Sequence, residues 1–249
     1  MSASDHFSAV AGAYALQRPR YPDELFAYLH QLARKHDLAW DCAAGSGQAS
    51  VPLARHFRTV VATDLSAAML AQAPHSSVQY RVAPAHASGL DPGSVDLVTV
   101  AQALHWLDLE TFYAEVDRVL RPGGVLAVWT YGNQVLDDPA LDGVLRAFYQ
   151  DTVGPFWPPE RFHVEAGYST LRFPYPELQT PGFHMEQQWT LADLLGYIRT
   201  WSATQRFLEA RGYDPVGELG LKLQNRWGER GSSRRVVWPL SVRAGRRPG

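Results

Sequence analysis

The clearest chemical signal in the sequence is an acid and a pair of glycines that follow the first predicted strand. The segment DCAAGSGQ places Asp41 ahead of a turn that contains Gly45 and Gly47. Glycines between a strand and a helix indicate that the backbone comes close to a ligand. Asp41 would repel a phosphate and attract an ammonium group, and Ser50 stands where a dinucleotide fingerprint needs glycine or alanine. The pattern predicts a nucleoside that carries a cationic amino acid.

A second acid, Asp64, ends the next predicted strand in the segment VVATDLS. A carboxylate here can accept hydrogen bonds from both hydroxyls of a ribose, each worth roughly 1.5–3 kcal/mol. It also disfavours a 2′-phosphate. The alternative is that Asp64 caps a helix that begins near Ser66. The occurrence of both acids together with the glycines favours the ribose.

These residues are positioned by strands and helices that alternate along the first 131 residues. Short apolar segments predict strands at 38–44, 59–63, 78–83, 95–102 and 124–131. Helical patterns are found at 22–33, 48–56, 66–73 and 109–120. Strands joined through helices imply right-handed crossovers and a parallel sheet that is covered on both faces. In such a sheet, ligands bind beyond the C-terminal ends of the strands.

Residues 132–182 break this alternation with seven prolines and eight aromatic residues. Two interpretations are open: a structured cap over a pocket, or an irregular surface segment. A long connection in a compact domain is often functional, which favours the cap. Residues 183–249 then return to a strand, helices and a final strand. We therefore expect one domain over 1–249, with a cofactor-binding core at 1–131, an insertion at 132–182 and a C-terminal block that completes the sheet.

Composition bears on the partners and on the location. The 249 residues are 46% hydrophobic and 19% charged, as in an ordinary globular protein, and the net charge of −2 does not indicate nucleic acid or an anionic membrane. With one cysteine, Cys42, the sequence predicts no intramolecular disulfide and no Cys-rich zinc site, and no spaced cluster of His, Cys and carboxylates indicates another metal. The absence of a signal-peptide pattern and of a long apolar run leads us to expect a cytoplasmic protein, as a monomer or homodimer.

Four segments together resemble the class I S-adenosylmethionine-dependent methyltransferases over about residues 5–129. They are DCAAGSGQ, VVATDLSAAML, VAPAHASGLDPGSVDLVTVAQALHWLD and VLRPGGVLAVW. The resemblance implies a Rossmann-like α/β fold with helices on both faces of a seven-stranded, mostly parallel sheet. It further implies strand order 3-2-1-4-5-7-6 with the last strand antiparallel. The implied cofactor is S-adenosyl-L-methionine, with S-adenosyl-L-homocysteine as product.

Other segments resemble the small-molecule branch of this family that includes trans-aconitate methyltransferase. They are YALQRPRYP, AQALHWLD, WTLADLLGYIRTWSATQ and RRVVWPLSVRAGR. The resemblance implies methyl transfer to a small metabolite, and a carboxylate is one candidate acceptor. A rival hypothesis is a non-catalytic protein on the same fold that binds S-adenosylmethionine or a partner.

The family motifs carry over to a set of candidate cofactor-binding residues. They are Arg18, Asp41, Ala43, Gly45, Gly47, Asp64, Leu65, Ala85, His86 and Gln102. Ala43 replaces the first glycine of the usual motif. Pro84 has no N–H and no polar side chain, so adenine recognition would fall to the Ala85 backbone and His86. The alternative for His86 is a plain surface residue.

Three residues after the fourth predicted strand are the candidates for catalysis: Gln102, His105 and Trp106. Trp106 could face the sulfonium, and His105 could act as a base or as a hydrogen-bond donor. The alternative is that Trp106 is core and His105 caps a turn. Methyl transfer by in-line displacement depends mainly on orientation, worth ~7–11 kcal/mol. A carboxylate acceptor would need no general base.

An N-terminal group, Tyr14, Arg18 and Tyr21, is the last candidate. If this segment folds over the cofactor, Arg18 could pair with the cofactor carboxylate, and the two tyrosines could line the substrate pocket together with His105. The alternative for Arg18 is a solvated arginine in a linker.

Overall fold

The computed structural model describes residues 19–74, 76–229 and 231–249. Tyr14 and Arg18 lie outside the described residues. The strands are β1 (Leu38–Cys42), β2 (Thr59–Asp64), β3 (Gln79–Val82), β4 (Val95–Ala101), β5 (Leu120–Tyr131), β6 (Val135–Leu136), β7 (Phe183–Thr190) and β8 (Ser233–Arg246). The helices are α1 (Asp23–Leu32), α2 (Ser50–Leu53), α3 (Ala67–Leu70), α4 (Leu109–Val119), α5 (Pro139–Ala147), α6 (Arg161–Glu165), α7 (Leu191–Arg199), α8 (Ser202–Arg211) and α9 (Val216–Trp227).

The strands form one sheet in the order β3-β2-β1-β4-β5-β8, with β7 and the two-residue β6 also paired to β8. The first five strands are parallel, and β8 runs antiparallel to both β5 and β7. If the two-residue β6 is left out, β7 is the sixth strand along the chain and β8 is the seventh. The order across the sheet is then the predicted 3-2-1-4-5-7-6. The predicted Rossmann-like class is confirmed, with β6 as an additional short strand.

The central strands β4 and β5 are buried on both faces, with successive side chains pointing to opposite sides of the sheet. Along β5, Val125 and Ala127 belong to one hydrophobic cluster, whereas Leu126 and Val128 belong to the other. Helix α1 packs its apolar side chains on the first face, and α4 packs on the second. Packing on both faces of these strands therefore fixes where their C-terminal ends lie.

Two of the helices begin at residues whose side chains accept hydrogen bonds from the first turn. Asp108 accepts a hydrogen bond from the Thr111 N–H and caps α4. Thr190 and Asp193 form the reciprocal capping box of α7. Helices α2 and α3 are shorter than the sequence pattern predicted, with four residues each.

Segment 132–182, for which no elements were predicted, contains α5, a π-helical turn at Phe148–Thr152, a 3-10 turn at Gly154–Phe156 and α6. Proline supports some of these starts, since Asp138 caps α5 and Pro139 occupies its first turn. The sequence predicts helices from residue 191 and over 215–227, but not α8, which lies between them. Within the part of the chain that the structure describes, every helix is too short or too polar to cross a bilayer.

Candidate active site

The turn between β1 and α2 takes the left-handed backbone conformation at three positions. The φ angles are 55° at Ala43, 54° at Gly45 and 79° at Gly47. Ala43 adopts this conformation although an L side chain there costs roughly 1–2 kcal/mol. A Cβ on Gly47 would lie 2.6 Å from the Tyr80 hydroxyl oxygen, so this position needs glycine for space as well as for its φ angle.

Asp41 lies at the end of β1 with its carboxylate enclosed. The Ser50 hydroxyl donates to one oxygen at 2.5 Å, and the Thr99 hydroxyl donates to the other at 2.7 Å. Burial raises its pKa to about 6, although the two hydroxyls act in the opposite direction. Asp41 thus ties β1, β4 and α2 together beneath the glycine turn. The carboxylate points towards Ser50 and Thr99 inside the protein. Its contact with an ammonium group stays a prediction.

Asp64, at the end of β2, holds the same turn from the other side. One carboxylate oxygen accepts from the Gly45 N–H and the other from the Ser66 N–H, each at 2.8 Å. Ser66, and not Asp64, caps α3 by accepting from the Met69 N–H. The capping alternative for Asp64 is therefore wrong. A carboxylate has about four lone-pair sites, so acceptor capacity remains for ribose hydroxyls. Leu65, beside it, is 65% exposed and offers an apolar surface.

The loop after β3 carries Ala85, which is partly buried, and His86, which is exposed. A buried glutamate of α4, paired with an exposed arginine, fixes this loop. Glu115 accepts from the Ser88 N–H at 2.8 Å and from the Ser88 hydroxyl at 2.6 Å, and Arg118 donates to it at 2.7 Å. Burial opposes the charge on Glu115, but the hydrogen bonds from Arg118 and Ser88 outweigh it and hold its pKa at about 2. His86 is placed as a surface residue at a loop whose backbone is held in position.

Gln102 follows β4 with a φ of 56°. Its side-chain amide donates to the Tyr131 carbonyl at 2.9 Å, and its carbonyl oxygen accepts from the Tyr131 N–H at 3.1 Å and from the Thr130 hydroxyl. Gln102 therefore joins the ends of β4 and β5. These hydrogen bonds make it a positioning residue in this structure, and direct contact with cofactor or acceptor stays a prediction.

His105 lies in a 3-10 turn, Leu104–Trp106, just beyond β4. Its Nδ1 is 2.8 Å from the hydroxyl of Tyr168, a fully buried residue with a φ of 63°. Burial, with smaller contributions from the charges of Arg161 and His163, lowers the pKa of His105 to about 3. The imidazole is therefore neutral near pH 7. Burial raises the pKa of the Tyr168 phenol, which keeps its proton.

Trp106 is 37% exposed, with its ring centroid 4.7 Å from that of His105. The alternative that placed Trp106 in the core is wrong. Tyr21 is buried, with its ring 5.5 Å from Trp129 in an edge-on contact and 6.4 Å from Tyr131. It therefore packs at the C-terminal end of β5.

A cavity of about 610 Å³ opens beside these strand ends, lined by residues 133–165 of the segment after β5. Arg161 donates from Nε to the Tyr149 hydroxyl at 2.8 Å, and its guanidinium carbon lies 4.5 Å from the Trp157 ring centroid. Helix α6, which carries Arg161, packs against the 3-10 turn that carries His105. No motif in the sequence points to Tyr168, Arg161 or Trp157, because each is one aromatic or basic residue in an irregular segment.

Comparison with known proteins identifies the family. Residues 40–128 match the family model described as a methyltransferase domain. The chain is 34% identical over 219 residues to a Dictyostelium discoideum protein named as a methyltransferase, covering 86% of this chain and 83% of that protein. The chain belongs to the S-adenosylmethionine-dependent methyltransferases.

Solved methyltransferase structures agree. The structure of an Anaeromyxobacter dehalogenans protein, named as a type II methyltransferase, matches with a TM-score of 0.88 and 46% identity over 93% of this chain and 99% of that chain. A phosphoethanolamine N-methyltransferase of Haemonchus contortus, solved with S-adenosylhomocysteine, matches with a TM-score of 0.51 over 100% of this chain and 61% of that chain. At 17% identity, the latter similarity shows the fold alone.

The residues of this methyltransferase fit its cofactor. The left-handed φ angles at Gly45 and Gly47 make the tight glycine turn after β1, at the edge of the sheet where ligands bind in open α/β folds. Asp64 keeps acceptor capacity for ribose hydroxyls, and the exposed Leu65 can pack on a flat base. The chain is an S-adenosylmethionine-dependent enzyme.

Proposed function

We propose that this enzyme methylates a carboxylate of a small molecule that binds between His105 and the cavity lined by residues 133–165. The observations that carry the proposal are the partly buried, neutral His105 and the packing of its turn against α6, whose Arg161 lines the cavity. When bound, S-adenosylmethionine supplies a methyl group on a sulfonium, which an in-line nucleophile displaces.

On the cofactor side, Asp64 accepts hydrogen bonds from the ribose hydroxyls, Leu65 packs on the adenine and the Ala85 backbone contacts the adenine edge. Asp41 and Gln102 act by fixing the turn and the strand ends. Trp106 presents its ring to the positively charged end of the cofactor.

On the acceptor side, the weak basicity of His105 separates the possible nucleophiles. A base whose conjugate acid has a pKa of about 3 is too weak to deprotonate a hydroxyl efficiently, since efficient general bases titrate near the working pH. A carboxylate is already ionised well below neutral pH. His105 therefore orients the acceptor by hydrogen bonding, and Tyr168 holds the imidazole in place through Nδ1.

Residues 132–182 act as a cap in this proposal, within a single domain that spans 1–249. Two observations support the cap. Tyr168 reaches back to His105 at 2.8 Å, and the lining of the cavity comes from this segment. Closing a cap over the reacting groups keeps water away from the cofactor.

A screen with radiolabelled methyl donor tests the proposal, starting with small monocarboxylic acids. A methyl ester is hydrolysed in mild base and releases volatile labelled methanol, whereas methyl ethers and methylamines do not. We expect a base-labile product from at least one acid. A labelled product that is stable to base would show that the nucleophile is not a carboxylate.

A further inference from the structure

The side-chain amide of Gln134 is the most unusual polar group in the cavity. Gln134 lines the cavity and is 3% exposed, and its Nε2 and Oε1 have no hydrogen-bond partner within the described ranges. The two atoms of an amide can be interchanged when a side chain is placed. Here both atoms lack a partner, so one unpaired donor and one unpaired acceptor are present whichever way the amide is turned.

Buried polar groups without partners are rare because they lose their hydrogen bonds to water. Nearby, the Nε1 of Trp157 and the Oδ1 of Asn133 are also buried without partners among the described residues. Asn133 and Gln134 come just after β5, at the edge of the sheet where ligands bind in open α/β folds. These groups indicate a polar ligand in the cavity.

The charges around the cavity limit what that ligand can be. Arg146 pairs with Asp142 at 2.7 Å, and Arg161 lies 4.0 Å from Glu165. Two arginines and two acids leave the lining close to neutral, so a ligand with two or three carboxylates would bring charge that nothing on the lining compensates. Arg161 keeps its guanidinium over the Trp157 ring, which suits one planar anion.

We propose that Gln134 selects an acceptor that carries, besides one carboxylate, a neutral group that both donates and accepts a hydrogen bond, namely a hydroxyl or an amide on a flat ring. The amide of Gln134 satisfies that group with its own donor and acceptor. The aromatic rings of Tyr149 and Trp157 pack on the ring of the ligand. This inference rests on the proposed function, because it describes the acceptor of that reaction.

Three probes that differ at one ring position test the inference on the full chain saturated with S-adenosylhomocysteine. Para-hydroxybenzoate carries a donor and an acceptor, para-methoxybenzoate lacks the donor, and terephthalate carries a second charge. Their dissociation constants are measured by ligand-observed NMR. We expect para-hydroxybenzoate to bind about tenfold more tightly than either of the others.

Two variants show whether Gln134 is the cause. Gln134→Leu should remove the preference for the hydroxyl and should also raise the melting temperature of the ligand-free protein, because an unpaired buried amide is lost. Gln188→Leu, at an exposed glutamine of β7, should change neither the preference nor the melting temperature. Equal binding of the hydroxyl and methoxyl probes, or an unchanged preference in Gln134→Leu, would overturn the inference.

The same samples separate this inference from the proposed function. If S-adenosylhomocysteine binds and a base-labile methyl ester forms from another acid, but the hydroxyl probe has no advantage, only the role of Gln134 fails. If the screen yields only base-stable products, the carboxylate proposal fails, and the inference that rests on it fails too.

Discussion

Two regions that meet at the C-terminal edge of the sheet differ in whether the protein itself supplies hydrogen-bond partners for their carboxylates and side-chain amides. In residues 40–128, the carboxylates of Asp41 and Glu115 and the amide of Gln102 are hydrogen-bonded to neighbouring groups of the protein, and the hydroxyl of Tyr80 is buried without a partner among the described residues. In residues 132–182, Gln134 keeps both amide atoms buried without such a partner. The carboxylates and amide of the first region are therefore held by the protein itself, whereas the amide of Gln134 is one that a bound molecule would satisfy.

This difference separates two tasks of a methyltransferase. A cofactor site whose carboxylates and amide are held by the protein itself keeps the same geometry with any acceptor. Acceptor selection needs groups that are paired only when the right ligand binds, since rejecting a wrong ligand depends on leaving buried groups unpaired.

The largest expected effect is at Asp64. Asp64→Ala removes the proposed ribose acceptor and also the hydrogen bond that holds the Gly45 N–H. We expect calorimetry to show affinity for S-adenosylhomocysteine reduced by about 100-fold to 10,000-fold, from two charged hydrogen bonds of roughly 1.5–3 kcal/mol each. Glu209→Ala, at an exposed acid of α8, is the control. Equal affinities of the two variants would remove Asp64 from the ribose site.

The next effect tests the glycine turn. Gly47→Ala should weaken S-adenosylhomocysteine binding by about 100-fold, because its Cβ would lie 2.6 Å from the Tyr80 hydroxyl at a φ of 79°. Gly212→Ala is a matched control, since Gly212, at the end of α8, has a φ of 77° with nothing within 4 Å of its Cβ. The double variant Gly47→Ala with Tyr80→Phe should recover part of the affinity. Equal affinities of the two glycine variants, or no recovery in the double variant, would mean that the contact with Tyr80 is not responsible.

How far the sequence predicts this structure depends on where the signal for each part lies. The strands of the core follow from short apolar segments between helical patterns, and the glycines and Asp64 follow from local motifs. The inward orientation of Asp41 does not, because it depends on hydroxyls from Ser50 and Thr99, which come from other elements.

The acceptor side is less predictable for the same reason. His105 and Tyr168 are 63 residues apart, so only the tertiary fold brings them together. The helices of segment 132–182 are short and begin near prolines, which leaves too few turns for an apolar stripe to stand out. Gln134 has no motif around it, and its lack of partners is visible only when its surroundings are known.

A smaller effect is expected at the loop behind the adenine position. Glu115→Gln removes the charge that holds the Ser88 N–H and hydroxyl, so the KM for S-adenosylmethionine should rise about tenfold while kcat changes little. The folded pKa of about 2 lies below the ordinary value of 4.5. Glu115 therefore contributes stability above pH 4.5 that is lost as the pH falls towards 2. In acid unfolding curves, Glu115→Gln should lose less stability than the wild type. An unchanged KM would mean that Glu115 contributes to stability and not to cofactor binding.

The smallest effect on rate is expected at His105. His105→Asn keeps hydrogen-bonding capacity, so kcat on a carboxylate acceptor should fall less than about tenfold. The wild-type rate should not rise between about pH 6 and 7, because the pKa of His105 is about 3. A loss on the order of 10²–10⁴-fold, together with such a rise, would make His105 a general base.

The same histidine affects stability in acid. Its folded pKa of about 3 lies below the ordinary value of 6.5, so the unfolded chain binds the proton more readily. Wild-type stability should fall as the pH drops from 6.5 towards 3, and His105→Asn should lose less over that interval. Identical acid unfolding curves for the two proteins would contradict the burial of a neutral imidazole.

The division between cofactor site and acceptor region is tested most directly by hydrogen exchange in two steps. S-adenosylhomocysteine alone should slow exchange in the turn at 43–50, around Asp64 and in the loop at 84–90. Adding para-hydroxybenzoate to that complex should then slow exchange in 133–168 and leave the turn nearly unchanged. If a saturating acceptor leaves 133–168 unaffected, or protects only the turn, the cavity is not where the acceptor binds and residues 132–182 are not a cap.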